Sequence, residues 1–501
     1  MNEVVAPDLA PPAPLARIIP RDQHSISRAS VSPNALKVLY RLRDAGFEAF
    51  LVGGCVRDLM LGLTPKDFDI ATSALPEEVR RVFRNCRLVG RRFRLAHVFF
   101  GREIIEVATF RATAAPEPGD EPIDESSEDS IDGDDTDVES DASQALPDDE
   151  VEPDRSNSSN PDRVTDHSGR LLRDNVYGSI DEDVWRRDFS ANALYYNIAD
   201  FSVWDYVGGF EDIAARRLRL IGDPATRYRE DPVRMLRAAR FQAKLGFTLD
   251  PATAAPIAEL RALLAGVPPA RLFDETLKLF LTGHGAQSLD VLRDWGLLGE
   301  LLPTVDRYLS SNSDSRVLQM LRQGLINTDA RVAAGRPVTP TFLFSLLLYG
   351  PFAEIIERQP AERWHDIGTI VDAVDRAARD AQNRIAIPKR FTLGMREMFA
   401  AQPRLEQPRG RRALRMLEQP RFRAAYDLLL LRSEFGLAAA DVAHWWTVLQ
   451  EVSQADREHM ADALAAAHAG GRGADDGGAG RAPRARRSRG GRRRRRPSQS
   501  A

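Results

Sequence analysis

Hydrophobic and polar positions change period twice within the first hundred residues. In "SVSPNALKVLYRLRDAGF", apolar residues recur at three- and four-residue spacing, which predicts a helix that Ser32 caps, Pro33 begins and Gly46 ends. The next stretch, "FEAFLVGG", is a short apolar run entering a glycine pair, and it predicts a strand followed by a turn. Further on, "LAHVFFGREIIEVATF" predicts two apolar strands joined at Gly101 and Arg102 as a hairpin. We therefore predict a small mixed sheet with helices on it.

The pattern becomes helical after about residue 170 and remains helical to about residue 468. Three segments, "DPVRMLRAARFQAKLGF", "ARLFDETLKLFLTG" and "AQSLDVLRDWGLLGELLP", each combine helical periodicity with a Gly or Pro terminator. No repeat of fixed period is evident. The fold class that we predict is α+β, with a small mixed-sheet head followed by an all-helical neck and body.

Charge is distributed unevenly, although the formal net charge of the 501 residues is only -4. Asp or Glu occupies almost every second position from Glu117 to Asp154, without one Lys or Arg, and the segment from Arg481 to Arg496 is mostly arginine. Such segments contain too little apolar surface to offset the entropy cost of ordering. We predict that the acidic stretch is a solvated insertion and that a disordered leader precedes the first helix.

The cysteine count and the apolar runs indicate in which cellular compartment the protein is expected. Cys55 and Cys86 are too few for a disulfide framework, which favours a reducing, cytoplasmic environment. The N-terminal segment lacks the basic and then apolar pattern of an export signal. The longest apolar run, Phe342 to Gly350, has about half the length that a bilayer span requires. We predict no transmembrane segment.

Two aspartates in "KDFDIAT" are the first candidates for chemistry. Asp67 and Asp69 are two residues apart, so on a strand both side chains point to the same face. Carboxylates about 4 Å apart repel by roughly 1 to 4 kcal/mol, which favours a divalent cation between them, and magnesium takes such ligands. Glu106, within the apolar strand "REIIEVATF", can supply a third carboxylate across the sheet. A solvated turn for the aspartates and an exposed strand face for Glu106 are the alternatives.

A glycine pair precedes the aspartates. Gly53 and Gly54 stand at a predicted turn from strand to helix, where bare backbone N–H groups can approach a phosphate. Arg57 can add a charged donor. Neither the GxxxxGK[ST] pattern nor GxGxxG occurs, so the glycine pair alone is weak support for a nucleotide site.

Four blocks of sequence, in order, carry a specific resemblance. "LVGGCVRDLMLGLTPKDFDIATSA" resembles the nucleotidyltransferase signature of the polymerase-beta superfamily, in the form shared by bacterial poly(A) polymerases and class II CCA-adding tRNA nucleotidyltransferases. The blocks "RRDFSANALYY", "DYVGGFEDI" and "RYREDPVRMLRAARFQAKLGF" follow in the order of that family. The similarity extends from about residue 32 to about residue 300.

The resemblance implies a role for each matching residue. Asp67 and Asp69 bind two catalytic magnesium ions and Glu106 completes the acidic cluster, with Asp188 near the ribose as a further catalytic residue. The glycine pair and Arg57 hold the triphosphate, the "RRDF" block contacts the nucleotide, and "REDPVR" helps to recognise the base. Surface salt bridges on helices are the alternative for the last two blocks. The implied nucleotide-binding residues are Gly53, Gly54, Arg57, Arg187, Asp188, Glu230, Asp231 and Arg234.

The resemblance and the charge pattern together predict five segments. They are a disordered leader at 1–31, a nucleotidyltransferase head at 32–215 with the acidic insertion at 112–169, a helical neck for nucleotide and RNA at 216–285, a helical body at 286–468 and a disordered arginine-rich RNA-binding tail at 469–501.

One segment favours poly(A) polymerases over CCA-adding enzymes. "LVGRRFRLAHV" resembles the segment that marks poly(A) polymerases, where CCA-adding enzymes usually carry a "G...FGT" type of sequence. Its arginines and those of the tail suit single-stranded RNA, which positive charge binds irrespective of sequence. An exposed basic strand edge and a generic polybasic extension are the alternatives. The predicted RNA-binding residues are Arg91, Arg92, Arg94, Arg492, Arg493, Arg494, Arg495 and Arg496.

The prediction is therefore a template-independent polynucleotide adenylyltransferase that adds AMP from ATP to RNA 3' ends and releases pyrophosphate, as in mRNA polyadenylation and RNA turnover. Its expected partners are single-stranded 3' ends of mRNA and other transcripts, with RNA-decay proteins as candidates, and its expected state is a monomer. CCA addition to tRNA and non-catalytic RNA binding are the alternatives.

Overall fold

The computed structural model describes residues 16–90, 94–112, 163–165, 171–174, 176–312 and 315–471. The chain divides into two compact units. Unit 1 comprises Met1–Ser313, Arg322–Leu343 and Ala378–Pro388, and unit 2 comprises Asp314–Leu321, Phe344–Ala377 and Lys389–Ala501. All predicted site residues that the structure describes lie in unit 1.

A mixed sheet forms the centre of unit 1. The strands of the described residues are β1 (Arg17–Ile19), β2 (Ala49–Val52), β3 (Asp69–Thr72), β4 (Cys86–Val89), β5 (Leu95–Phe100), β6 (Glu103–Thr109), β7 (Arg163–Thr165), β8 (Leu171–Asp174), β9 (Leu194–Asn197), β10 (Val203–Asp205), β11 (Arg217–Leu218) and β12 (Thr248–Leu249). Eight of them form one sheet in the order β1-β10-β9-β2-β3-β6-β5-β4. Adjacent strands in it are antiparallel except β3 and β6, which are parallel. The predicted mixed-sheet head is confirmed.

Helices pack on the sheet and make up most of the chain after it. The helices of the described residues are α1 (Pro33–Asp44), α2 (Gly54–Met60), α3 (Pro76–Val82), α4 (Ile180–Arg186), α5 (Gly209–Ala214), α6 (Pro224–Glu230), α7 (Val233–Leu245), α8 (Pro251–Ala254), α9 (Ile257–Leu260), α10 (Pro269–Phe280), α11 (Gly285–Asp294), α12 (Leu298–Leu301), α13 (Pro303–Ser311), α14 (Arg316–Ala333), α15 (Pro340–Leu347), α16 (Tyr349–Glu357), α17 (Ile367–Ile385), α18 (Lys389–Glu406), α19 (Arg412–Leu417), α20 (Phe422–Glu434), α21 (Ala440–Glu451) and α22 (Gln454–Gly471). The predicted helical neck and body are confirmed, with the addition of a two-residue parallel pair, β11 with β12. The prediction that the chain is helical from about residue 170 is wrong for β8, β9 and β10, because β8 pairs with β7 and the chain then returns to the sheet, where β9 pairs with β2.

Strand β2 carries the chain through the core to the glycine turn. All four of its residues are buried. The ring of Phe50 lies 5.1 to 6.2 Å, between centroids, from the rings of Phe110, Tyr195 and Trp204. Because successive side chains of a strand alternate between faces, Leu51 is buried on the opposite face. This burial on both faces explains the continuous apolar run and fixes the backbone just before Gly53.

The hairpin of β5 and β6 has one covered face and one open face. The predicted two-residue turn is confirmed, since Phe100 pairs with Glu103. Glu103, Ile105 and Val107 share the covered face: the two apolar residues are buried, and Glu103 accepts a hydrogen bond from Asn34 of α1 at 2.6 Å. The alternate residues of β6, beginning with Ile104, which is 42% exposed, point to the open face.

The predicted first helix is also confirmed. Helix α1 begins at Pro33, and the hydroxyl of Ser32 accepts hydrogen bonds from the N–H groups of Asn34 and Ala35. Gly46 follows the helix with a φ of 89°, a conformation that favours glycine.

Strand β1 departs from the predicted leader. Arg17–Ile19 pairs antiparallel with β10 at one edge of the sheet, and Ile19 and Ile26 are both buried. The prediction of disorder is therefore wrong for residues 16–31. A pair of isoleucines next to Pro20 is too short a run to show strand periodicity in the sequence.

The residues that flank the predicted insertion lie next to each other at the sheet. The N–H of Ala112 donates to the carbonyl of Val176 at 3.0 Å, and the N–H of Gly178 donates to the carbonyl of Phe110 at 3.0 Å. The acidic stretch from residue 117 to residue 154 lies outside the described residues. The predicted range of 112–169 also contains strand β7, which the sequence did not indicate.

Unit 2 has its own helical core. Trp446 of α21 is fully buried, and its indole N–H donates to the carbonyl of Leu405 at 2.8 Å. The ring of Phe422 lies between Trp446 and Tyr426, with centroid distances of 5.5 and 5.8 Å. This buried aromatic cluster explains why the C-terminal helices stay together.

Candidate active site

Asp67 and Asp69 lie at the start of strand β3. Asp69 is the first residue of the strand and pairs with Val52, whereas Asp67 lies in the bend before it. The expectation that both aspartates are on a strand is therefore wrong for Asp67, because pairing with β2 ends where that strand enters the glycine turn. Both carboxylates nevertheless line one cavity of about 530 Å³.

Glu106 is the partner of Asp69 in the parallel pairing of β3 with β6. Its side chain is 50% exposed, and its Oε1 lies 3.5 Å from the Nε2 of His97 on β5. Glu106 is thus beside Asp69 but on the open face of the hairpin, which was the alternative considered from the sequence. Within the described part of the chain, no three His, Cys, Asp or Glu side chains are close enough together to hold a metal by themselves.

The carboxyl group of Asp69 lies in an environment that disfavours its charge. Burial raises its pKa, the negative charge of Glu106 adds to this, and Asp67 adds a little more, while Arg187 opposes them; the result is about 6. An ordinary Asp has a pKa near 3.9. A cation beside Asp69 would relieve this cost, because it favours the ionised form. Magnesium typically uses one or two carboxylates, with waters and substrate phosphates as its other ligands, so this donor set fits it.

The glycine turn borders the carboxylates directly. Gly53 has a φ of 79° and precedes the first residue of α2. A Cβ atom at this position would lie 3.8 Å from the Oδ2 of Asp69 and 3.9 Å from the Nη1 of Arg187. Gly53 and Gly54 both line the cavity. The turn therefore places bare backbone between an anionic and a cationic side chain.

Arg57 lines the same cavity but is only 2% exposed. Its Nε and Nη2 donate to Asp58 at 2.8 and 2.6 Å, and its Nη1 donates to Asn192. These bonds join α2 to the turn at 190–192. The side chain predicted to hold the triphosphate is thus already bound to the protein, and a direct phosphate contact stays a prediction.

Arg187 follows α4 and faces the aspartates. Its Nη2 and Nε donate to Asp183 at 2.9 and 3.1 Å, and the Nε also donates to the hydroxyl of Tyr195 at 2.8 Å. Burial acts to lower the pKa of Arg187, but Tyr195 and Asp183 outweigh it and raise the pKa. The guanidinium therefore remains charged and fixed in direction.

Asp188 is held by a residue of the neck. The Nε of Arg237, on α7, donates to its Oδ2 at 2.7 Å, and the N–H of Phe189 donates to its Oδ1 at 2.8 Å. Burial acts to raise the pKa of Asp188, but the charge and hydrogen bonds of Arg237 prevail and lower it. The carboxylate is therefore ionised and rigid, with its side chain 12% exposed.

The "REDPVR" block forms ion pairs with nearby residues of the sequence and with a residue of α10. Glu230 accepts from Arg227 at 2.8 Å and from Arg234 at 2.9 Å, and among the described residues it is not part of the cavity lining. Asp231 receives a two-pronged bond from Arg271 of α10, at 2.8 and 2.7 Å. Asp231 and Arg234 line the cavity. All three residues thus form salt bridges, as the alternative stated, and Asp231 and Arg234 also line the cavity.

Several cavity residues were missed from the sequence. They come from α2 and α4, from the loop before Asp67, from the turn after Asp188, and from the neck helices. Most of them stand in the blocks quoted for the resemblance, but no role was assigned to them there, and Arg271 lies outside those blocks. The missed residues are Cys55, Asp58, Lys66, Arg186, Asn192, Arg237, Phe241, Lys244 and Arg271.

The predicted RNA-binding arginines are mostly beyond the described residues. Arg94 forms an ion pair with Glu77 at 2.7 Å, and both side chains are about half exposed. Arg91, Arg92 and the tail residues 492–496 lie outside the described part of the chain. Arg94 lies just before β5, which is an inner strand of the sheet, so a strand edge does not describe it, and its contact with RNA stays a prediction.

Three protein-family models match the chain in succession. "Poly A polymerase head domain" matches residues 49–219, and "Probable RNA and SrmB- binding site of polymerase A" matches residues 246–309. "Polymerase A arginine-rich C-terminus" matches residues 362–498. The matches follow the order of head, neck and C-terminal region.

Similarity to a poly(A) polymerase extends over most of the chain. Poly(A) polymerase I of Escherichia coli O6:H1 (strain CFT073) is 46% identical over 461 residues, which cover 90% of this chain and 89% of that protein. The chain belongs to the poly(A) polymerase I family. The predicted nucleotidyltransferase is therefore confirmed, and membership implies a nucleotide substrate and, in general terms, a divalent metal.

This chain also resembles CCA-adding enzymes over part of its length. The CCA-adding enzyme of Lactobacillus helveticus (strain DPC 4571) is 32% identical over 260 residues, 52% of this chain and 53% of that protein. A solved "tRNA-processing enzyme (apo form 2)" has a TM-score of 0.52 at 20% identity and covers 85% of this chain and 99% of that one, which supports the fold alone. Coverage and identity both favour poly(A) polymerase I.

Among the described residues, no helix is long and apolar enough to cross a bilayer.

Proposed function

We propose that this member of the family transfers AMP from ATP to the 3'-hydroxyl of RNA without a template, releasing pyrophosphate. The observation that carries the proposal is the 530 Å³ cavity of unit 1, where two aspartates and a bare glycine turn face a group of cationic side chains. A nucleoside triphosphate is an anion that needs both features, since its phosphates bind cations and backbone N–H groups.

Asp67 and Asp69 are the proposed metal ligands, with Glu106 completing the acidic group beside them. Two magnesium ions held there would stabilise the attacking and leaving oxygens of an in-line displacement at the α-phosphate. The raised pKa of Asp69 supports this assignment, because the site favours added positive charge at neutral pH.

Arginine and lysine side chains bind and orient the triphosphate in this proposal. Arg187 lies at the glycine turn and is held by Asp183 and Tyr195, so little side-chain entropy is lost when a phosphate binds. Lys66 lines the same cavity. Arg57 acts through α2, since its N–H groups already bind Asp58 and Asn192.

Asp188 is the proposed ribose contact. Its carboxylate is ionised and fixed by Arg237, so it is an acceptor of constant position for a ribose hydroxyl. Asp231 and Arg234 are the proposed base contacts, since together they offer acceptor and donor edges in the cavity. Arg271 positions Asp231 through two hydrogen bonds, and Glu230 positions Arg234 through their ion pair.

RNA 3' ends are the proposed second substrate, with the arginine-rich tail as a sequence-independent anchor. The match of residues 362–498 to an arginine-rich C-terminus supports this. The domain boundaries, the monomeric state and RNA-decay partners remain proposals. A reducing cytoplasm is proposed from the two cysteines, which are both free.

The test is incorporation of each labelled nucleoside triphosphate, offered separately with magnesium to an unstructured RNA and to tRNA lacking its CCA end. We expect AMP transfer to both RNAs, with loss of transfer in the D67N and D69N variants. The D44N variant changes an exposed carboxylate that pairs with Arg43 and should retain full activity. Full transfer in either cavity variant would contradict the assignment.

CCA addition is the second candidate, because a CCA-adding enzyme is 32% identical over about half of the chain. In the same assay, CMP incorporation into the shortened tRNA would support it over AMP transfer. Absence of any incorporation with magnesium, together with retained RNA binding, would support a non-catalytic RNA-binding protein.

A further inference from the structure

Two cavities of unit 1 meet at the aspartates. The first is the 530 Å³ nucleotide cavity, which extends over α2, α7 and α10. The second, about 580 Å³, shares Lys66, Asp67 and Asp69 with the first. It extends instead over the open face of the β5–β6 hairpin, where His97 and Glu106 line it.

Phosphoryl transfer explains why two cavities should share one pair of carboxylates. The attacking and leaving oxygens lie roughly in line on opposite sides of the phosphorus, so the two substrates approach the metal site from different directions. If the triphosphate occupies the first cavity, the acceptor hydroxyl must enter through another opening beside Asp67 and Asp69. The second cavity is such an opening.

We propose that the second cavity is the acceptor subsite, which takes the 3'-terminal nucleotide of RNA, and that His97 is a positioning residue within it. This inference rests on the proposed function. In the reaction the 3'-oxygen forms a bond to the α-phosphorus, the bond from that phosphorus to pyrophosphate breaks, and the hydroxyl proton leaves to solvent.

Strand register places a row of polar side chains across the open face. Asp69 pairs with Glu106, Glu106 pairs with His97, and His97 pairs with Arg87. Residues paired in register point to the same face on strands about 4.8 Å apart. The charge along the row therefore changes from negative at Asp69 of β3 to positive at Arg87 of β4, which is exposed.

The charge gradient along this row matches the end of an RNA strand. The terminal hydroxyl belongs at the carboxylates, and the preceding phosphodiester is attracted to cations farther out. Arg102, which lines the cavity at the hairpin turn, adds a second cation. Phe99 is two residues from His97 on the same strand, with ring centroids 6.3 Å apart, and offers a partly exposed ring to a base.

His97 occupies the middle of the row, between Glu106 and Arg87 in the strand register. Its side chain is 21% exposed, less than the 50% of Glu106, and its Nε2 lies 3.5 Å from that carboxylate. A histidine at this distance restrains the direction of Glu106, and His97 itself lines the cavity. It acts on the RNA end by holding Glu106 in place and by shaping the subsite, and we assign it no proton transfer.

The kinetic test uses H97A and H97Q, with H444A as the control. His444 is an exposed histidine of α21 in unit 2 and belongs to neither cavity. We expect H97A to raise the KM for a short RNA by about fivefold or more while the KM for ATP stays within roughly twofold. H97Q, which keeps a polar side chain beside Glu106, should recover a large part of the loss. An equal rise in both KM values, or an unchanged KM for RNA, would overturn the proposal.

A cross-linking test separates this inference from the proposed function. An RNA with a photoreactive 4-thiouridine at its 3' terminus is bound to the wild-type protein without ATP, irradiated and mapped by mass spectrometry. We expect cross-links to residues 95–106, weakened in H97A and unchanged in H444A. Cross-links confined to other segments would overturn the acceptor subsite even if AMP transfer is observed. Cross-links at the hairpin without any AMP transfer would retain the RNA subsite and refute the proposed reaction.

Discussion

Replacing Asp69 with asparagine should stabilise the metal-free protein while abolishing catalysis. The carboxyl of Asp69 has a pKa of about 6 because burial and the neighbouring Glu106 disfavour its charge. In the unfolded chain it returns to about 3.9, so the folded state binds this proton more tightly by about 2 pKa units. Each unit corresponds to about 1.4 kcal/mol, which gives an upper value of about 3 kcal/mol.

The direction of the pH dependence follows from the raised pKa. The stabilisation from the bound proton is complete below the unfolded pKa of about 4 and is lost as the pH rises through about 6. Asparagine resembles the protonated acid at every pH. We therefore expect the free energy of unfolding of D69N to exceed that of the wild type by about 2 to 3 kcal/mol at pH 8, and by only about 0.5 kcal/mol at pH 4.

Hydrogen exchange of peptides covering β3 and β6 measures this difference for the head sheet itself, without requiring unit 1 and unit 2 to unfold together. The experiment is done in EDTA, and D44N serves as the control. Asp44 is 65% exposed in its pair with Arg43, and such pairs contribute about 0.5 kcal/mol or less. A D69N protein that is less stable than the wild type at pH 8, or a difference that does not change with pH, would refute the reasoning.

Three further outcomes test the site and the tail. G53A introduces a Cβ at a φ of 79° and should cost about 1 to 3 kcal/mol of stability, measured by urea denaturation, with a loss of AMP transfer. R237M leaves the buried charge of Asp188 unpaired and should cost about 3 kcal/mol at pH 7 and raise the KM for ATP. Because pairing depresses the pKa of Asp188, this cost should shrink as the pH falls below about 4, which unfolding at two pH values checks. Deleting 481–496 should lower the salt slope of RNA binding, by about 0.7 for each phosphate that the tail no longer neutralises, while kcat is retained; an unchanged slope in salt titrations would exclude the tail as the anchor.

Local patterns predicted the elements that carry the carboxylates. The cap at Ser32, the turn at Gly53 and the two-residue hairpin are short-range signals, because a few adjacent residues determine each of them. The pairing of Asp69 with Glu106 followed from expecting their two strands in one sheet. What the sequence did not reveal was exposure: Glu106 is on the open face, and alternation within an apolar strand does not say which face is covered.

The cationic side of the site could not be predicted in the same way. Arg237 and Arg271 lie on neck helices, 49 and 40 residues from the carboxylates that they bind. Helical periodicity identifies such helices but not the partners of their polar residues, which depend on how distant segments pack. Arg57 illustrates the reverse case, since its place after the glycine turn suggested a free phosphate donor whereas the folded chain buries it against Asn192.

The head can accommodate an inserted sequence at the junction of Ala112 with Val176. Because the two flanks are joined by a backbone hydrogen bond, the ends of whatever connects them are held at a fixed, short separation. Lengthening a connection between fixed points costs little, about 0.6 kcal/mol for each doubling. A fluorescent protein whose termini are close together could therefore be spliced in at this junction as a reporter, with the pairing of the neighbouring strands unchanged.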